Sequence, residues 1–146
     1  MQRRHLAAGI ALAASPAGIA AAAAPIRQSV VYHVGDEGGP DHAHWRTALG
    51  NMRNHLDVIG DGLQLVCLLN STGIRLLLEA ASNPELGADV TALRRRGARF
   101  VVCGNSLRGQ KVAREALLAV PEGDIVPAGV VELTRLQQEG FAYIRP

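Results

Sequence analysis

Apolar and polar positions fall into short blocks along most of the chain, and the blocks change period in a regular way. "SVVYHV", Ser29–Val34, is apolar enough to read as a first buried strand. "GDEGGPDHAH" follows as a polar loop. Trp45, Ala48, Leu49, Met52, Leu56 and Ile59 then recur at helical spacing, which predicts an amphipathic helix from Asp41 or His44 to Ile59, stopped by Gly60. "LQLVCLLN" predicts a second strand, apolar on both faces. "STGIRLLLEAA" restarts a helix with Ser71 or Thr72 as its N-cap, "SNPELGAD" reads as a break, and "DVTALRRRG" as a further helix ended by Gly97. Arg94, Arg95 and Arg96 stand in its last turn, where cations suit the helix dipole. "RFVVC" is strand three, Asp124–Val126 a short strand, "GVVELTRLQQEG" a last helix and "FAYIRP" a last strand.

Strands alternate with helices and are apolar on both sides, as in a sheet covered on both faces. The expected fold is therefore α/β: a three-layer sandwich around a mostly parallel sheet of about five strands. Ligands of such sheets sit beyond the carboxyl ends of the strands. That rule places His33–Asp41, Asn70–Gly73, Cys103–Leu107 and Pro127–Gly129 on one rim. Cys103 falls on this edge. Cys67, between Val66 and Leu68, falls inside a strand and reads as a packed small hydrophobe.

The first 24 or so residues stand apart. Arg3 and Arg4 begin a segment with no further charge until Arg27, Ala-rich and interrupted by Pro16 and Gly18, with small residues at Ala20, Ala22 and Ala23. This is the pattern of a cleaved export signal, residues 1–24, ahead of a single domain, 25–146. Leu6–Ala24 nearly reaches spanning length, but its composition and small-residue end favour cleavage. The paired arginines also fit a twin-arginine signal. The expected location is the periplasm, with no stable membrane span after cleavage. The chain carries 15 Lys+Arg against 13 Asp+Glu. Without Arg3 and Arg4 the balance is even, so the basic excess is a targeting feature and no argument for nucleic acid.

The chemistry open to the rim centres on a thiol. A cysteine reacts as its thiolate, and a helix N-terminus or a nearby cation favours that form. After Cys103 come Gly104 and Asn105, then Ser106 as the expected N-cap of a short helix, with Arg108 and Lys111 a turn or two on. The N–H groups of Gly104, Asn105 and Ser106 are placed to hold an anion. The sequence has no G-x-S-x-G, P-loop or G-x-G-x-x-G motif, and no C-x-x-C pair. His33, His42, His44 and His55 share a region with Asp36, Glu37 and Asp41, but "DHAH" lacks the i, i+4 pairing of a helical metal site. These histidines are assigned to loop and cap roles, and neither a metal nor another cofactor is expected.

"RFVVCGNSL" with "DIVPAGVVELTRLQQEGFAYIRP", and also "MRNHLD" and "LLNSTGIRLLL", resembles the DsrE/DsrF-like family of sulfur-oxidation and sulfur-relay proteins, over Val30–Pro146. The resemblance implies a three-layer α/β/α sandwich with a five-stranded parallel sheet, assembled as a dimer, trimer or hexamer. It further implies a persulfide on the cysteine after the third strand, which here is Cys103, with Gly104, Asn105, Ser106 and Arg108 around the sulfur. A sulfur donor or acceptor protein would then be the partner. The export signal departs from the cytoplasmic relay members. The expected function is a sulfur carrier or sulfurtransferase; the alternative is a non-catalytic oligomeric module that binds a small ligand or a partner. No Cys67–Cys103 disulfide is expected, because neighbouring parallel strands rarely offer the required Cβ geometry.

Overall fold

The computed structural model describes residues 27–146; the expected signal over 1–24 lies outside them. Five strands form one fully parallel sheet: β1 (Gln28–Val34), β2 (Leu63–Leu69), β3 (Arg99–Cys103), β4 (Ile125–Val126) and β5 (Ala142–Ile144), in the order β4-β3-β2-β1-β5. Five α-helices complete the sandwich: α1 (Ala43–Ile59), α2 (Arg75–Ala80), α3 (Pro84–Arg95), α4 (Gly104–Gln110) and α5 (Gly129–Gln138). Among the described residues no helix is long and apolar enough to cross a membrane.

Alternation along the strands divides the core. Val30, Tyr32, Val34, Leu65, Cys67, Leu69, Phe100 and Val102 pack with α1, α2, α3 and Leu107 of α4. Val31, Val66, Leu68 and Val101 point the other way, against Leu133, Leu136 and Phe141. Each such fully buried aliphatic side chain contributes roughly 1.5–3 kcal/mol. Among the described residues, α5 is the one helix on the second face, with Phe141 beside it.

Successive crossovers carry the chain from β1 through β2 and β3 to β4, each step in one direction. The return from β4 to β5, past β1, needs a helix on the opposite face if the crossover is to stay right-handed, and α5 is that helix. Neighbouring strands β3 and β4 therefore send their chains to opposite faces, which opens a crevice at their carboxyl ends.

Four local readings are corrected. The helix expected from Ser71 opens instead as a 3-10 turn, Ser71–Ile74, with α2 beginning only at Arg75. Neither Ser71 nor Thr72 caps it: the Thr72 hydroxyl donates to Gly35 O at 3.2 Å, and Ser71 has φ of 48°. The expected break at "SNPELGAD" contains the start of α3. Asn83 Oδ1 accepts from the N–H groups of Glu85 and Leu86 at 3.1 and 3.2 Å, and Pro84 takes the first helical position, where its missing N–H is no loss. Ser106 does not cap α4; Cys103 itself is the N-cap residue. The short fourth strand spans Ile125–Val126 rather than starting at Asp124.

Candidate functional site

Cys103 ends β3, pairs with Val126 of β4 and turns directly into α4. It thus stands at the crevice where the two connections part. Phe100 and Val102 face the α1–α3 layer, so alternation turns Cys103 toward α5. There the Gly129 N–H, at the first residue of α5, donates to Cys103 Sγ at 3.2 Å. The thiol lies under the positive end of a ten-residue helix dipole and is 5% exposed.

Gly129 makes this a close approach. A Cβ there would stand 3.1 Å from Asn70 Cβ and 3.2 Å from both Cys103 Cβ and Leu68 Cδ2. Gly104 is also tightly placed: a Cβ would come within 3.1 Å of Val126 O.

Burial pushes the Cys103 thiol pKa up, but four hydrogen bonds outweigh it and hold the pKa below the ordinary thiol value. The Ser106 hydroxyl is the strongest of them, followed by the N–H groups of Gly129, Ser106 and Asn105. The lowering therefore comes from directed donors and not from the cations expected nearby. Arg108 and Lys111 are exposed, and the Arg108 guanidinium is bound to Asn105 Oδ1.

Ser106 is held in turn. Its Oγ accepts the Ser71 N–H at 2.8 Å, which leaves its O–H free to donate to Cys103. Gln110 Nε2 donates to Ser71 O at 2.6 Å, so α4 and the turn after β2 are stitched together on both sides of Ser71. The left-handed backbone at Ser71 is spent on aiming this N–H.

Cys67 is fully buried on the other face, and burial pushes its pKa far up. Both cysteines are free. Their side chains leave the sheet on opposite faces, which is the physical reason that they do not pair.

The histidines disperse. His42 stacks on Trp45 with ring centroids 5.4 Å apart, His44 Nδ1 lies 3.1 Å from Glu37 O, and His55 bonds to Tyr32 Oη and Gln28 Oε1 at 3.1 and 2.7 Å. Among the described residues no three His, Cys, Asp or Glu side chains gather as metal ligands. Among the described histidines, His33 reaches the thiol's side of the sheet edge, through Asn70 Oδ1 at 2.9 Å.

The structure thus brings together Cys103, Ser106 and the N–H of Asn105 from the expected set. It places Gly104 behind them and Arg108 outside. Sequence reasoning put Asn70–Gly73 and Pro127–Gly129 on the rim but gave Asn70 and Gly129 no role and Ser71 only that of a helix cap. The available signal was Asn70 itself, the first polar residue after the apolar run of β2, one step beyond the Leu69–Val102 register pair and so level with Cys103.

A family model described as the DsrE/DsrF-like family matches residues 29–146. Among solved structures, the protein of unknown function MTH1491 from Methanobacterium thermoautotrophicum is 29% identical. The likeness covers 82% of this chain and 99% of that one, with a TM-score of 0.68. No curated protein matches the chain.

Proposed function

We propose that this chain, which belongs to the DsrE/DsrF-like family, carries sulfane sulfur as a persulfide on Cys103 and acts in sulfur relay as a carrier or sulfurtransferase. The observation that carries the reading is the thiol itself: it lies at the crevice of the sheet, with its pKa drawn down by four convergent donors.

The step uses no redox partner. The Cys103 thiolate attacks the outer sulfur of a sulfane donor, RS–S⁻. A new S–S bond forms at Cys103 as the donor's S–S bond breaks, and the electron pair leaves with RS⁻. The same donors that favour the thiolate then favour the persulfide anion. Gly104 supports the site by letting α4 start close under β4, and Asn105 contributes its N–H. Arg108, tied to Asn105, supplies positive potential to incoming anions.

Intact mass spectrometry of the protein after incubation with thiosulfate or polysulfide tests this. Wild type is expected to gain the mass of one sulfur atom and Cys103→Ser none. No gain on wild type, or an equal gain on the variant, contradicts the reading. A purely ligand-binding role would leave Cys103→Ser fully functional in binding, and the tuned thiol weighs against it.

We further propose a homo-oligomer, in which a second copy covers the outer side of α5. Val130 and Val131 there are 63% and 66% exposed, immediately after Gly129. Val131→Glu is expected to shift the protein to monomer in light scattering; an unchanged mass would overturn this assignment. The basic start and Ala-rich run of residues 1–24 support export to the periplasm ahead of one domain, 25–146. Recovery of a shortened chain from the periplasmic fraction is the expected result, and a full-length chain in the cytoplasm the contrary one.

A further inference from the structure

A row of polar side chains crosses the carboxyl edge of the sheet on the α5 side, and three of its members have no role in the reading above. Tyr143 of β5, His33 of β1, Asn70 after β2 and Cys103 of β3 stand on adjacent strands in that order. Tyr143 Oη lies 2.7 Å from His33 Nδ1, and His33 Nε2 lies 2.9 Å from Asn70 Oδ1.

An amide oxygen only accepts, so in this pairing His33 Nε2 is the donor, and with Nδ1 unprotonated the ring accepts from the Tyr143 hydroxyl. The pairing pins Asn70 Oδ1 toward β1 and turns its amide nitrogen away from that strand.

Two further contacts hold the same residue. The Asn70 N–H donates to Val34 O at 3.3 Å, and Asn70 O accepts the Gly73 N–H at 2.9 Å. Gly35 leaves room for the pair: a Cβ there would stand 2.9 Å from Asn70 Oδ1 and 3.3 Å from His33 Nε2. Yet Asn70 Nδ2, so firmly oriented, donates to no group among the described residues. It is also no buried orphan, since the buried side-chain nitrogen lacking a partner among them is Arg94 Nη2. Asn70 Nδ2 therefore opens to solvent. Its Cβ and that of Cys103 lie 3.1 and 3.2 Å from one point, the position of a Gly129 Cβ.

An anion arriving at Cys103 needs such a donor. The Gly129 N–H and the Ser106 hydroxyl are already committed to Sγ, and the Arg108 guanidinium is engaged by Asn105. We propose that Asn70 Nδ2 donates to an oxyanion of the sulfur donor as it meets Cys103, with His33 and Tyr143 as positioning residues that orient the amide. The substrate class is a sulfane donor whose departing group is an oxyanion of sulfur. With thiosulfate as probe, the Cys103 thiolate bonds to the outer sulfur, the S–S bond breaks, and sulfite departs with its electron pair. Charge and atoms balance, and Asn70 meets the charge that accumulates on the departing oxygens.

This inference rests on the persulfide reading, and three kinetic readouts separate the two. The first is the rate of sulfur gain from thiosulfate, by intact mass; the second is the rate from inorganic polysulfide. The third is the rate of alkylation of Cys103 by neutral iodoacetamide. Asn70→Ala is expected to slow the thiosulfate reaction by about tenfold, as loss of a hydrogen bond to a charged group does, with alkylation within about twofold of wild type. Tyr143→Phe, at a half-exposed position, is expected to slow thiosulfate by a smaller factor with alkylation unmoved, and it carries the test should Asn70→Ala fail to fold.

Unchanged thiosulfate rates in both variants overturn the inference, and so does an equal loss of alkylation, which would place Asn70's effect on the thiol and not on the donor. A wild type that gains sulfur from polysulfide but none from thiosulfate overturns the substrate class while the carrier reading stands. A wild type that gains sulfur from neither overturns both.

Discussion

Gly73→Ala is expected to leave the protein unfolded or to lower its melting temperature by at least about 10 °C, from an overpacking penalty of about 3 kcal/mol or more. A Cβ at this position would stand 2.0 Å from Val34 O and 2.6 Å from Val34 C. Both are backbone atoms at the end of an interior strand paired with β2 along its whole length, and they cannot swing aside as a side chain would. The turn would have to lift instead, and Asn70 and Ser71 would lift with it. The Asn70 N–H would leave Val34 O, and the Ser71 N–H would leave Ser106. The substitution thus couples the packing of β1 against the turn to the aim of the hydroxyl on Cys103. Gly109→Ala is the matched control, because a Cβ there meets nothing within 4 Å and the position is helical. It is expected to be neutral or to raise stability by up to about 1 kcal/mol. Circular dichroism melts of the two variants check the contrast; equal melting temperatures would refute the packing argument.

Ser106→Ala is expected to slow alkylation of Cys103 at neutral pH by about tenfold, the scale of one hydrogen bond to a charged group. The direction follows from the balance at the thiol. Burial raises the pKa and four donors lower it, the Ser106 hydroxyl most. Removing that donor leaves burial less opposed, so the pKa rises and the thiolate fraction at a fixed neutral pH falls. The rate–pH profile of the variant should accordingly move to higher pH and converge with wild type in alkaline solution, where both thiols are ionised. Arg108→Gln, by contrast, is expected to leave the alkylation profile near that of wild type, since burial and the four hydrogen bonds, and not Arg108, set the direction of this thiol's pKa. A profile unmoved by Ser106→Ala, or moved more by Arg108→Gln, would return the cause to charge.

Period carried most of the fold into the sequence. The apolar runs of β1, β2 and β3, and the spacing of Trp45, Ala48, Leu49, Met52 and Leu56, are statements about burial that a single chain makes locally. The α/β order, with the rule that ligands of such sheets sit beyond the carboxyl ends of the strands, then places Cys103 on the rim. The errors at Ser71, Asn83 and Ser106 share one cause. A Ser or Asn side chain can serve a cap or a distant partner, and the choice depends on residues far away in sequence. Asn83 found α3's own N–H groups, whereas Ser106 found Ser71 and Cys103. The site was illegible for the same reason. Gly129 N–H, Asn70 and Ser71 act through backbone groups or through contacts spanning the sheet, and only the register of β1, β2 and β3 brings them to one thiol.

Cys103, in the proposed role, holds the sulfur, and the rest of the chain does not. The most direct test is capture of bound sulfur on the folded wild-type protein with a thiol-alkylating reagent after exposure to a sulfane donor, followed by peptide mass mapping of both cysteines. An alkylated persulfide is expected on the Cys103 peptide and none on the Cys67 peptide; added sulfur on Cys67, or on neither cysteine, would overturn the persulfide assignment.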